Sequence, residues 1–289
     1  MFWVHQLDRW IIISDIIVAC NQFKMLQLNE MKIPDIIILI ERLQEIQLFN
    51  TERFEFYINY RKERRYHCCP IDAIPFANTG HNGIHFAFLT DFKIDYNLHE
   101  LPIICIAPSY DPCINYVAEN IKDFFSLLMT IHYSTMLAEE YKNRDSYLRI
   151  RKDYLEGYRS EFDQTAMLEQ ATFMRNKFNL DALDDVYKYL EEIKLRRTET
   201  VSTYSSEYSN LGISPFDKES ITRFKLKANV ANISDFLSTN NKSSRLQFYR
   251  DCAAAFSISG DNKEDVRKVI SDHLLKDGYH EIAQNLKMY

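Results

Sequence analysis

The sequence predicts an α+β fold: a mostly antiparallel sheet flanked by helices, with a mainly helical C-terminal region. Three observations carry this. After residue 50 the hydrophobic period turns from helical to alternating, as Phe54, Phe56, Ile58 and Tyr60 interleave with Glu55, Tyr57 and Asn59. Six of the seven prolines lie between positions 34 and 112, which gathers turns and strand edges into one region. Six glycines among 289 residues are too few for a sandwich or barrel built from many tight turns.

In chain order, Trp3, Leu7, Trp10, Ile11 and Val18 give residues 2–28 the spacing of an amphipathic helix. Pro34 and Asp35 open the next helix, proline where no N–H is needed and an acid at the positive dipole end. Ile36, Leu39, Ile40, Leu43 and Ile46 mark its face, and it is expected to run to about Phe49. Strands follow at 54–60, 71–76, 84–89 and 103–107, and their short connections favour antiparallel pairing. Asp111 and Pro112 read as N-cap and first residue of a helix carrying Ile114, Val117, Ala118, Ile121, Phe124, Phe125 and Leu128 to about residue 133. From 136 to 200 two or three charge-rich helices are expected, with the clearest stripe at Leu183, Val186, Tyr187, Leu190 and Ile193. The polar stretch 201–216 reads as an internal linker, and further helices are expected at 243–257, 263–276 and 279–288. These readings divide the chain into an α+β domain over residues 1–135 and a mainly helical extension or second domain over residues 136–289.

Composition narrows the function. A hydrophobic content of 46% is ample for a core. A net charge of −6 gives no sequence-independent attraction to a phosphate backbone, which argues against a nucleic-acid partner. The basic runs at 61–65 and 148–152 lie among acids and read as solvated faces. The N-terminal apolar stretch lacks a basic leader and is interrupted by Asp8, Arg9 and Asp15, so neither a signal peptide nor a membrane span is expected. The six cysteines form no C-x-x-C pair and read as reduced thiols of a cytoplasmic protein.

Candidate chemistry centres on the turn NTGHNG at 78–83. It lacks both Gly-rich phosphate-binding patterns, and a strand, not a helix, follows it. His81 and His85, with a third ligand from Asp91, Asp95 or His99 and Asp91 as the acid chosen, would form the site of a metal-assisted hydrolase. The bland alternative is a structural histidine on a strand face shared with Ala87 and Leu89. His67, Cys68 and Cys69 form a second cluster without a recognised nucleophile signature. No catalytic residue, metal or cofactor is nominated.

The segments PFANTGHNGIHFAFLTDF at 75–92, LPIICIAPSYDP at 101–112 and VAENIKDFF at 117–125 together resemble the SUKH superfamily, which includes many bacterial immunity proteins. Thr79, Gly80, Gly83, His85 and Phe86 match its turn, and Ile121 and Phe124 match the end of its helix motif. Asn82 stands where an acid is more usual. The likeness covers about residues 34–133 and is strongest over 75–125. It implies an α+β domain and a non-enzymatic bacterial protein that binds a protein partner, namely an immunity protein that neutralises a toxin by occluding its active site. The residues assigned to partner contact are Asn78, Thr79, His81, Asn82 and Asp91; those assigned to specifying the fold are Gly80, Gly83, His85 and Phe86. A third reading, beside the hydrolase, makes the chain a helical scaffold whose C-terminal helices pair with a second copy as a homo-oligomer.

Overall fold

Pro34 opens the first described helix, α1 (Asp35–Glu45), where its carbonyl accepts from Ile37 N–H at 2.9 Å and Asp35 sits in the first turn. Ile36, Ile37, Leu39, Ile40 and Leu43 are buried along one face. The computed structural model describes residues 33–45, 51–59, 68–157, 161–201, 211–213, 221–222, 224, 230–255, 258 and 263–286. The helix expected over 2–28, and the end of the one expected to reach Phe49, lie outside these residues.

The alternation at 54–60 is a strand only in part. Thr51–Phe54 is a short helix, α2, and Glu55 at φ 48 turns the backbone before β1 (Tyr57–Ile58). A left-handed residue cannot continue an extended strand, so Phe54 and Phe56 reach the same core from a helix end and a turn. The sheet then runs β2 (Ala73–Asn78), β3 (His85–Leu89), β4 (Ile103–Ile106) and β5 (Ile114–Ala118) in the order β1-β2-β3-β4-β5, with every neighbouring pair antiparallel. Pro75 is tolerated within β2 at a register shift between Pro75 and Ala77. At the β1 edge Ile58 N–H donates to the Gln44 side chain of α1 at 2.9 Å.

The expected helix start at Asp111 is overturned. Asp111 and Pro112, joined by a cis peptide bond, lie in the β4–β5 loop, and Ile114–Ala118 pairs with β4. The helix α3 (Ile121–Ile131) starts nine residues later, with its N-cap at Asn120, whose side chain accepts from Asp123 N–H at 2.9 Å and donates to the Asp123 carboxylate at 2.9 Å.

Alternation within the strands sorts side chains into two cores. Phe86, Phe88, Ile103 and Cys105 join α1 and α3 on one face, while Ala87, Leu89, Ile104 and Ile106 join Leu211 and Ala254 on the other. With helical chain on both faces, β3 and β4 are buried at every position. Phe124 of α3 sits at the centre of the first core, its ring 5.8 Å from Phe56, 5.6 Å from Phe76 and 5.1 Å from Phe86.

After a 3₁₀ turn (Ser134–Ala138) come three charge-rich helices, α4 (Arg144–Gly157), α5 (Glu161–Phe178) and α6 (Val186–Thr200), where two or three were expected. Arg175 of α5 donates at 2.7 Å to the Met129 carbonyl, satisfying the C-terminal end of α3. The C-terminal helices are α7 (Val230–Thr239), α8 (Lys242–Ala254), α9 (Glu264–Lys276) and α10 (His280–Asn285), of which α7 is absent from the sequence reading. They share a core with Ile71 and Phe92, the residues flanking β2 and β3. Ile33–Tyr289 forms one compact unit, so the boundary expected at 135/136 falls inside it. Most of the expected linker 201–216 lies outside the described residues, but Leu211 and Ile213 are built into the cores.

Candidate functional site

The turn between β2 and β3 is held by a dense set of local bonds. Thr79 N–H donates to the Ile84 carbonyl at 3.0 Å and Ile84 N–H to the His81 carbonyl at 3.0 Å. The Thr79 hydroxyl donates to His81 O at 3.1 Å and accepts from His81 N–H at 3.2 Å, while Asn78 Oδ1 accepts from Gly80 N–H at 2.9 Å. Gly80, Asn82 and Gly83 hold φ of 78, 51 and 69, a left-handed sequence that glycine and asparagine adopt at low cost. This presents His81 and Asn82 to solvent on a fixed tip.

The other expected contact residues are placed differently. Asn78 is half-buried at the end of β2. Thr79 is fully buried, its hydroxyl engaged in the turn, so it offers no surface to a partner. His85 is buried, and its Nδ1–H donates to the Gly83 carbonyl at 2.7 Å, which ties the first residue of β3 back to the turn. Phe86 is buried against Phe56 and Phe124.

Gly80 has a further constraint. A Cβ there would lie 2.9 Å from the Tyr57 ring of β1. Gly80→Ala is expected to lower stability by about 1–2 kcal/mol through the left-handed backbone alone, and further through displacement of Tyr57. Gly278→Ala is the control, at φ 89 with nothing within 4 Å. Urea denaturation of both variants checks this: the midpoint is to fall further for Gly80→Ala than for Gly278→Ala.

Asp91 is not a surface acid. It follows β3 and is 7% exposed, within a network of two acids and two arginines. Arg197 of α6 donates Nη1–H and Nη2–H to its two oxygens, both at 2.6 Å, and Nε–H to the Leu211 carbonyl at 2.9 Å. Arg250 of α8 is wholly buried; it grips both oxygens of Asp72 with Nε–H and Nη2–H, reaches Asp91 at 3.1 Å and donates to the Gly212 carbonyl. Phe92 and Tyr116 close the network, with Arg250 5.3 Å from the Phe92 ring centre and Arg197 5.4 Å from that of Tyr116. Burial pushes the Asp91 carboxyl up, but the Arg197 hydrogen bonds and the charges of Arg250 and Arg197 outweigh it and hold the group below its ordinary range. Burial opposes the Arg250 charge, and Asp72 and Asp91 more than offset that.

The structure does not bring His81, His85 and Asp91 together. His81 is on the exposed tip, His85 begins β3 and Asp91 lies past its far end, roughly 20 Å along an extended strand. Asp91 is also engaged by two guanidiniums. Among the described residues no group of three His, Cys, Asp or Glu side chains is arranged to hold a metal ion. His67 of the second expected cluster lies outside the described residues, and Asp72, Arg197 and Arg250 were absent from the sequence reading. Arg197 alone left a trace, because it continues the buried stripe Val186, Leu190, Ile193 by one further turn.

Among the described residues no helix is long and apolar enough to cross a membrane. Comparison with protein-family models, characterised proteins and solved structures returned no match.

Proposed function

We propose that the chain is a non-enzymatic protein-binding protein of SUKH-like architecture, and that the tip of its β2–β3 hairpin contacts the partner. The observation that carries this reading is the conformation of residues 78–83, in which five local hydrogen bonds and three left-handed residues hold His81 and Asn82 outward. A preformed loop loses little entropy on docking, so two polar side chains there contribute more to affinity than the same pair on a mobile loop. The partner class we propose is a toxin neutralised by occlusion. A net charge of −6 complements a basic toxin and speeds its encounter. The antiparallel sheet packed on α3 supports this reading only at the level of an α+β architecture.

The burial of α8 favours this reading over that of a scaffold whose C-terminal helices pair with a second copy. Ser243, Leu246, Tyr249, Arg250, Cys252 and Ala253 of this helix are all covered within the chain itself.

The test is native co-purification with mass spectrometry, comparing the wild type with the double variant His81→Ala/Asn82→Gly. Glycine at 82 keeps the left-handed backbone, so the denaturation midpoint is expected to hold while retention of the partner falls at least tenfold. Equal retention by the variant sinks the hairpin contact, and recovery of only chaperones and ribosomal proteins sinks the binding function.

A further inference from the structure

Asn82 is the only asparagine in the chain that is followed by glycine. The pairing matters because a residue without a side chain leaves its amide nitrogen free to attack the preceding carboxamide, a reaction that makes asparagine thermally labile. Asn82 and Gly83 are the central residues of the turn closed by Ile84 N–H on the His81 carbonyl, and their φ values of 51 and 69 are those of a type I′ hairpin turn. Asn82 is exposed. Its side chain makes no hydrogen bond to any described residue, and neither does the Gly83 N–H, although the Gly83 carbonyl accepts from His85.

We propose that Asn82 is a modification site, at which spontaneous deamidation gives aspartate and isoaspartate on the tip of the β2–β3 hairpin. The Gly83 nitrogen attacks Cγ of Asn82; the new C–N bond closes a succinimide ring, the Cγ–Nδ2 bond breaks, and ammonia leaves with the proton of the Gly83 amide. Water then opens the ring. Cleavage at Cγ restores the ordinary chain with aspartate at 82, whereas cleavage at the α-carbonyl carbon routes the main chain through Cγ and leaves isoaspartate. Water is consumed and ammonia released, and nothing is oxidised or reduced. Either product places a negative charge next to His81. The reaction requires no partner.

Two other positions carry related sequences, and the fold engages both of their reacting groups. Asp277 precedes Gly278 and could close the same ring by losing water. Its carboxylate, however, is held by Arg245 Nη2–H at 2.7 Å and Nε–H at 3.0 Å, and the Gly278 N–H donates to the Leu275 carbonyl at 3.1 Å. At Asn78, Oδ1 accepts from Gly80 N–H at 2.9 Å, and the Thr79 N–H that would attack it donates to the Ile84 carbonyl at 3.0 Å. Ring closure at Asn82 needs rotation about its ψ, which costs the Ile84-to-His81 bond across the turn. A local opening of the tip therefore suffices, and the sheet below it stays paired.

The test is incubation of the native full-length chain at mildly alkaline pH, sampled over time by peptide mapping, ion exchange and labelling with an isoaspartyl methyltransferase. Among the described residues Asn82 is expected to convert first, to a mixture of aspartate and isoaspartate, with the peptides holding Asn78 and Asp277 unchanged over the same interval. Asn82→Gly keeps the left-handed backbone and is expected to lose the corresponding acidic species. An acid closes the ring more slowly than an amide, so Asp277 is compared with itself: isoaspartate there is expected in urea, where Arg245 and Leu275 no longer engage it, and not in the native chain. Asn82 intact in the native chain, conversion of Asn82 only after other described asparagines, an acidic species undiminished in Asn82→Gly, or isoaspartate at 277 forming natively as fast as in urea would each overturn the proposal.

Discussion

Replacing Arg250 with methionine is expected to cost about 3–5 kcal/mol of folding stability, the size associated with stripping one partner from a buried ion pair. Arg250 is completely buried and spans Asp72, Asp91 and the Gly212 carbonyl. Methionine fills much of the space but donates nothing, so the Asp72 carboxylate keeps its burial and loses the guanidinium that grips both its oxygens. Against a total of about 5–15 kcal/mol for an ordinary domain, that is a large fraction. Asp91 keeps Arg197 in this variant, so Asp72 accounts for most of the loss. The double variant Asp72→Leu/Arg250→Met is therefore expected to be more stable than Arg250→Met alone, because no unpaired buried charge remains. Urea denaturation of wild type, the two single variants and the double variant measures the coupling. Strict additivity would mean that the pair does not act as a unit.

Such a network leaves almost no local signature, which decides how much of the molecule the sequence could disclose. The strands at 73–78, 85–89 and 103–106 were legible because alternation, prolines and the Gly80–Gly83 turn are short-range features. β5 was not. It is buried on both faces, so polar residues do not mark one side, and Ile114, Val117, Ala118 and Ile121 happen to fall at helical spacing. Asp-Pro before an apolar run is the same local signal whether it caps a helix or closes a hairpin loop. Asp72 and Arg250 lie 178 residues apart, and Asp91 and Arg197 lie 106 apart. α8 is buried nearly all round, so Arg250 could not be told from a residue on a solvated face. The exposed tip of the hairpin was legible, because glycines and an asparagine in left-handed conformations must turn outward at a loop. The burial of Thr79 and Asp91 on either side of it depends on contacts that only the folded chain makes.

Asp91→Asn is expected to lower stability at neutral pH by about 3–5 kcal/mol and to flatten the acid limb of the stability curve. Asparagine keeps the shape but not the charge, so Arg197 and Arg250 would face one carboxylate, on Asp72, and one guanidinium charge would stay buried without compensation. The Asp91 carboxyl in the folded protein titrates below its ordinary range because the Arg197 bonds and both arginine charges outweigh burial. Its contribution is thus complete above the unfolded value of about 3.9 and is lost as pH falls through that value towards the folded one. Wild type should lose stability there while the variant has no such group to protonate, so the gap between them should stay level from neutral pH to near the unfolded value and narrow below it. Chemical denaturation at several pH values tests this, and a gap that stays constant or widens towards acid would remove the ion pair as its cause. The same variant separates two roles for Asp91. A partner-contact residue would lose binding with its midpoint intact, whereas a residue that joins the end of β3 to α6 and α8 should lose stability and, where still folded, retain the partner as well as wild type does.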